Sequence, residues 1–153
     1  MKTTLVVATA LFAAACGTVD LTHDSSPLRF SIREGYILDP PPPPTQIGLL
    51  VETTTQYPCL GYRLESEFHV SGSTLRVSVS DRVTKPSEVC LTAIGPAGFR
   101  VLLPTAIGTY TLEFTRDGVT DRYTVTITDA AIEIAPIEMH FTTPTALTFP
   151  RGG

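Results

Sequence analysis

Tyr62-Arg63-Leu64-Glu65-Ser66-Glu67-Phe68-His69-Val70 alternates apolar and polar residues for nine positions, a run that only a strand with one face on a core and one in water accommodates. Ser71-Gly72-Ser73 supplies a turn, and Leu75-x-Val77-x-Val79 resumes the same period against Arg76 and Ser78. Working outward, Ile47 to Thr53 gives a strand on the N-terminal side and Val89 to Ile94 a more uniformly apolar one carrying Cys90. Gly95-Pro96-Ala97-Gly98 reads as a break. Phe99-x-Val101-x-Leu103 follows and ends at Pro104. Tyr110-x-Leu112-x-Phe114 and Tyr123-x-Val125-x-Ile127 then flank a turn centred on Asp117-Gly118, and Ile132 with Ile134 offers an edge strand before Pro136.

The expectation is an all-β domain over residues 47–136, an antiparallel immunoglobulin-like β-sandwich of seven or eight strands. Pro and Gly make up 24 of the 153 residues, 13 and 11 respectively, which disfavours several long helices. Charged residues are 17% and the formal charge is -4, which removes the basic footprint that a nucleic-acid partner requires.

The N-terminus carries an address. Met1-Lys2-Thr3-Thr4 has one positive charge and no acid, and the uncharged run Leu5 to Ala15 precedes Cys16-Gly17. That is the layout of an export signal over residues 1–15. A helix of such a run rises ~1.5 Å per residue and falls well short of a ~30 Å hydrocarbon core, so it is no permanent span. Leu11-Phe12-Ala13-Ala14-Ala15-Cys16-Gly17 resembles the cleavage region of a bacterial lipoprotein precursor, where small residues precede a Cys that is diacylated and becomes the mature N-terminus. The resemblance implies lipidation at Cys16, a palmitate-type anchor, and, with Gly17 following, the outer membrane of a Gram-negative bacterium. Ala13-x-Ala15 also fits ordinary signal cleavage, which would release a secreted chain.

Cysteine parity points the same way. Three Cys leave one over in an exported protein, and lipid on Cys16 leaves Cys59 and Cys90 as a disulfide pair. Two buried free thiols are the alternative for those residues.

Residues 16–46 read as the lipidated N-terminus and a tether. Pro40 to Pro44 form a polyproline rod of about 15 Å at ~3.1 Å per residue, a spacer between membrane and domain. Within residues 28–38, Leu28-Arg29-Phe30-Ser31-Ile32 alternates and could add a strand. Residues 137–153 are a C-terminal tail with room for one more edge strand.

Gly108-Thr109-Tyr110-Thr111-Leu112 resembles the start of a strand in many bacterial immunoglobulin-like and fibronectin-type domains, and the resemblance implies a tyrosine corner, the Tyr110 hydroxyl capping a loop carbonyl. The chain has no Trp, so the core Trp of antibody domains has no counterpart.

For chemistry the residues offer little. No Gly-x-Ser-x-Gly is present, and His23, His69 and His140 fall on the tether, a solvent-facing strand and the tail. Glu65, Glu67 and His69 share one outward face, but same-face residues are ~6.6 Å apart along a strand, too far for a compact metal site without a further ligand. Asp117, Asp121 and Asp129 sit where hairpin turns favour Asp. The candidate binding loops are Tyr57-Pro58-Cys59-Leu60-Gly61-Tyr62 and Ile94 to Phe99, with Tyr57, Tyr62 and Phe99 as contact residues. The function expected is a non-catalytic binding or assembly module of the cell envelope, not an enzyme, needing no cofactor and no metal and meeting an envelope protein partner. A small exported protease inhibitor with a disulfide-braced loop is the alternative, and a metal-dependent or hydrolytic enzyme stands behind both.

Overall fold

The alternating runs become the ladders of one sheet. In the computed structural model, residues 21–35, 46–86 and 93–151 are described. They contain β1 (Leu21–His23), β2 (Leu28–Glu34), β3 (Ile47–Tyr57), β4 (Arg63–Ser71), β5 (Thr74–Thr84), β6 (Gly95–Leu103), β7 (Gly108–Arg116), β8 (Val119–Ile127), β9 (Ala131–Glu138), β10 (Thr142–Pro144) and β11 (Thr148–Pro150), with no helix among them. The strands form one mixed sheet in the order β10-β2-β3-β6-β4-β5-β7-β8-β9-β11, curled into a half-barrel, with β1 added along β5.

All-β therefore holds, but the ladder is not uniformly antiparallel: β10–β2, β4–β6 and β5–β7 are parallel pairs. The β5–β7 pairing is parallel because β6 crosses to the other part of the sheet before the chain returns. The Asp117-Gly118 turn forms as read, both residues at positive φ (51° and 80°), which fits a tight two-residue hairpin between β7 and β8.

Two boundaries differ from the sequence reading. β2 lies inside the stretch expected to be tether, and its Leu28, Phe30 and Ile32 are core residues at 1% exposure or less. Phe30 meets Phe114 and Tyr123 with ring centroids 5.0 Å away in each case, so the centre of the core uses a strand from before the proline run. Second, Gly95-Pro96-Ala97-Gly98 is the first part of β6 rather than a break. Among the described residues Pro96 has only β3 beside it, where a missing donor is tolerated, and at Gly98 a Cβ would stand 2.5 Å from the Val51 carbonyl oxygen, so the close approach of β6 to β3 requires glycine. Residues 89–92 of the strand expected at 89–94, the proline rod 40–44, the signal 1–15, Cys16 and Cys90 lie outside the described residues, and residues 93–94 of that expected strand are not in a strand.

Opposite this glycine-rich start, β3 bulges: Glu52 pairs with Gly98 and Gln56 with Pro96, leaving extra residues on β3. The ladder would strand the amide of Ala97 there, a residue at 0% exposure, but the Thr53 hydroxyl accepts that N–H at 3.0 Å and donates to the Thr55 carbonyl at 3.0 Å. Thr53→Val keeps the shape and removes both bonds. An unpaired buried amide costs about 1–3 kcal/mol. Urea denaturation should show the midpoint falling accordingly with its slope unchanged, and an unchanged midpoint would mean that Ala97 has another acceptor.

The C-terminal segment closes the far side of the sheet. β10 pairs with β2 and β11 with β9, so residues 142–150 join two margins that lie at opposite ends of the strand order. Arg151 fastens the end, donating to both Glu34 carboxylate oxygens at 3.1 and 2.7 Å and to the Thr128 carbonyl at 2.6 Å.

Candidate binding groove

With one side closed by the C-terminal segment, the other side of the sheet is held by very little. β4 and β6 meet in the single pair Arg63 with Gly98, supported by the Gly98 amide donating to the Tyr62 carbonyl at 3.2 Å. Beyond that pair the strands are not hydrogen-bonded to each other, and a groove of about 780 Å³ opens there. Leu50, Tyr62, Leu64 and Phe99 give it apolar walls, Arg63, Glu65 and Arg100 charge, and Ser66 and Thr84 hydroxyls.

The loop beside the groove is braced from below. Tyr57 stacks on Tyr62 at 4.5 Å with 24° between the rings, and its hydroxyl donates to Asp24 Oδ2 at 2.7 Å. Asp24 also accepts from the Ser26 amide at 2.8 Å and the Thr55 hydroxyl at 3.3 Å. Burial works against its charge, but these hydrogen bonds, that of Tyr57 foremost, outweigh it and hold the carboxyl below its ordinary value. Burial and the same carboxylate push the Tyr57 phenol far up. Arg116, itself 8% exposed, donates to the Ser25 and Ser26 carbonyls at 3.2 and 2.8 Å and lies over the Phe141 ring at 4.6 Å, so the β1–β2 loop that carries Asp24 is fixed from the opposite side too.

The expected contact residues separate accordingly. Tyr62 and Phe99 line the groove, whereas Tyr57 is only 7% exposed and supports the loop instead of facing a partner. Cys59 is buried at 1% exposure, and its expected partner Cys90 is outside the described residues. Leu60 and Ile94, part of the candidate loops but not among the expected contact residues, are 43% and 74% exposed.

The Tyr110 hydroxyl donates to the Ala106 carbonyl, four residues upstream, at 2.9 Å. The bond is exposed, so water replaces it readily when it is lost. Tyr110→Phe is expected to cost about 0.5–1 kcal/mol. A loss of several kcal/mol in a thermal melt would contradict this exposed geometry.

Asp121 corrects the turn reading. It lies in β8 at 0% exposure and accepts four hydrogen bonds, from the amides of His140, Phe141 and Thr142 at 2.7, 3.0 and 2.6 Å and from the Thr142 hydroxyl at 2.6 Å. Tyr123 completes the cluster, its hydroxyl 2.8 Å from both the Thr142 carbonyl and hydroxyl oxygens.

Glu65, Glu67 and His69 are exposed on β4. Sequence reading missed a longer polar row on the outer face: Arg76, Glu113, Arg122 and Glu138 are register neighbours on β5, β7, β8 and β9, linked at 3.1, 3.4 and 3.1 Å, with His140 on Glu138 at 3.0 Å. Exposed pairs of this kind add little stability each, but a one-residue slip would set Arg76 and Arg122 against Leu112 or Phe114 and part every pair of the row.

Comparison of the chain with family models, with curated proteins and with solved structures returns no match.

Proposed function

We propose that this chain is an envelope lipoprotein, anchored through lipid on Cys16 in the outer membrane and acting as a non-catalytic binding or assembly module. The observation that carries the reading is the groove between β4 and β6, a concave, partly apolar site of the size that ligands and peptide segments occupy, framed by strands instead of mobile loops. Its walls hold aromatic faces, charge and main chain, which is equipment for recognition.

In this reading the strand order is an immunoglobulin-like sandwich, β10-β2-β3-β6 facing β4-β5-β7-β8-β9-β11, with the groove at the side where the two layers part. Cys59 bonded to Cys90 stiffens the loop next to it and lowers the ordering cost of binding. A second reading, a protease inhibitor, draws on the exposure of Leu60 beside Cys59 in that loop.

Two experiments test the proposal. Cys16→Ala should move the protein from the detergent phase to the aqueous phase on detergent partition; retention in detergent with unchanged cleavage refutes the anchor. A photo-crosslinking residue in place of Ser66, which lines the groove, should capture an envelope partner that the same residue in place of Glu133, on β9, does not. Equal capture from both positions, or none from Ser66, refutes the groove as the binding face.

A further inference from the structure

The chain enters the fold soon after the expected anchor. Leu21 stands five residues beyond Cys16 and already pairs with Thr84, β1 lying antiparallel to β5. The five prolines come only after β1 and β2 and join Glu34 to its ladder partner Ile47, so they cannot space the domain from Cys16. The leash that does so is residues 16–21, and fully extended at ~3.6 Å per residue it reaches about 18 Å. Leu21, Thr84, Arg63 and Gly98 stand abreast on β1, β5, β4 and β6, and the leash departs from that level. The strand directions place residues 60–62 and 94–97 on the side toward which it departs. Gly95 precedes Gly98 by three residues, so Gly95 and Ile94 project about 10–13 Å past that level at ~3.3 Å per residue. Leu60 packs onto the same tip, where a Cβ on Gly95 would stand 2.5 Å from Leu60 Cδ2. With Leu60 at 43%, Ile94 at 74% and Leu21 at 46% exposure, three large aliphatic side chains meet water at the end of the domain where the leash begins.

We propose that this end rests on the bilayer that holds the Cys16 lipid, with Leu60 and Ile94 in its interfacial layer. Lengths decide between lipid and protein as the occupant. The ~10–13 Å of projecting tip, taken from the ~18 Å of leash, leaves about 5–8 Å, less than the ~10 Å that one packed layer of helix or sheet needs. A partner protein does not fit between. Two aliphatic side chains alone bind a membrane weakly, but the anchor keeps them at a high effective concentration beside it, and one lipid contact is strengthened by a second. The Ser71-Gly72-Ser73 turn, eight residues along β4 from Arg63, then points away from the bilayer by about 26 Å. The groove opens on that same outer side of the Arg63 and Gly98 pair. This rests on the lipid-anchor reading and adds the orientation in which the domain is held.

The chain has no Trp, so a single introduced Trp reports its own surroundings. The full lipidated chain, carrying Ile94→Trp, Leu60→Trp or Ser73→Trp at these exposed sites, is reconstituted into vesicles of phosphatidylethanolamine and phosphatidylglycerol with part of the phospholipid brominated on its acyl chains. Ile94→Trp and Leu60→Trp should emit further to the blue and be quenched roughly threefold or more strongly than Ser73→Trp, as interfacial side chains sink ~5–10 Å into the headgroup boundary. Equal quenching at positions 94 and 73, or none at either, in protein that floats with the vesicles overturns the docking and leaves the anchor standing. A blue shift at position 94 without quenching overturns it as well and assigns the tip to a second copy of the chain. Protein that does not float with the vesicles refutes the anchor, and the docking with it.

Discussion

Asp121→Ala is expected to lower stability by about 3–5 kcal/mol, the largest effect of any single substitution considered for this chain. The carboxylate is fully buried, and the amides of His140, Phe141 and Thr142 all end on it. Truncation leaves those donors and the Thr142 hydroxyl without their acceptor, and each buried unpaired group costs about 1–3 kcal/mol before relaxation. Asp121→Asn recovers part of this: its oxygen in the Oδ2 place still accepts from Phe141 and Thr142, but its NH2 then meets the His140 amide, donor against donor. Thermal unfolding should fall by about 10 °C or more for the Ala variant. A shift of only a degree or two would mean that water serves the 140–142 amides as well as the carboxylate does.

The second large effect depends on pH. Asp24 has its carboxyl held below the ordinary value of 3.8, so its folded form binds a proton less readily than its unfolded form. The stability it contributes is therefore fully present above the ordinary value and is lost as pH falls through the lower, folded one. At neutral pH, Asp24→Ala should cost about 2–3 kcal/mol, since the Tyr57 hydroxyl and the Ser26 amide lose a charged acceptor. As pH falls past the ordinary value and through the lower, folded one, the gap between wild type and Asp24→Asn should narrow, because the native carboxyl becomes neutral like the amide that replaces it. Urea midpoints at pH 6 and pH 2.5 check the sign. A gap that widens on acidification would show that Asp24 is not held as an anion.

What the sequence made legible was local. Leu64-x-Ser66-x-Phe68 and Tyr123-x-Val125-x-Ile127 announce their strands because inward and outward environments differ at every step. Asp117-Gly118 announces its turn because few residues accept positive φ. The misreadings all hang on distant partners. Asp121 stands four residues after the Asp117 turn and looks like more turn chemistry, but its role is set by backbone some twenty residues on. Thr53 sits in an ordinary Thr53-Thr54-Thr55 run, and only the bulge opposite Ala97 makes its hydroxyl necessary. Gly98 looks like a strand breaker until the Val51 carbonyl is placed against it. The groove was half visible: Tyr62 and Phe99 were picked out by composition, but that they share one wall depends on how β6 crosses the sheet, which no local pattern encodes.

The clasp formed by residues 142–151 also sets a timetable. β2 waits for β10, and Glu34 waits for Arg151, 117 residues further along the chain. A chain emerging from its N-terminus cannot close this loop until Arg151 has followed Glu34 out, and pairings between such distant segments are slow to form. Until then the apolar row Leu28, Phe30 and Ile32 has one naked flank, so the interval between the emergence of β2 and that of Arg151 is when the nascent protein is most exposed to aggregation, and when a chaperone would have its longest opportunity to hold it.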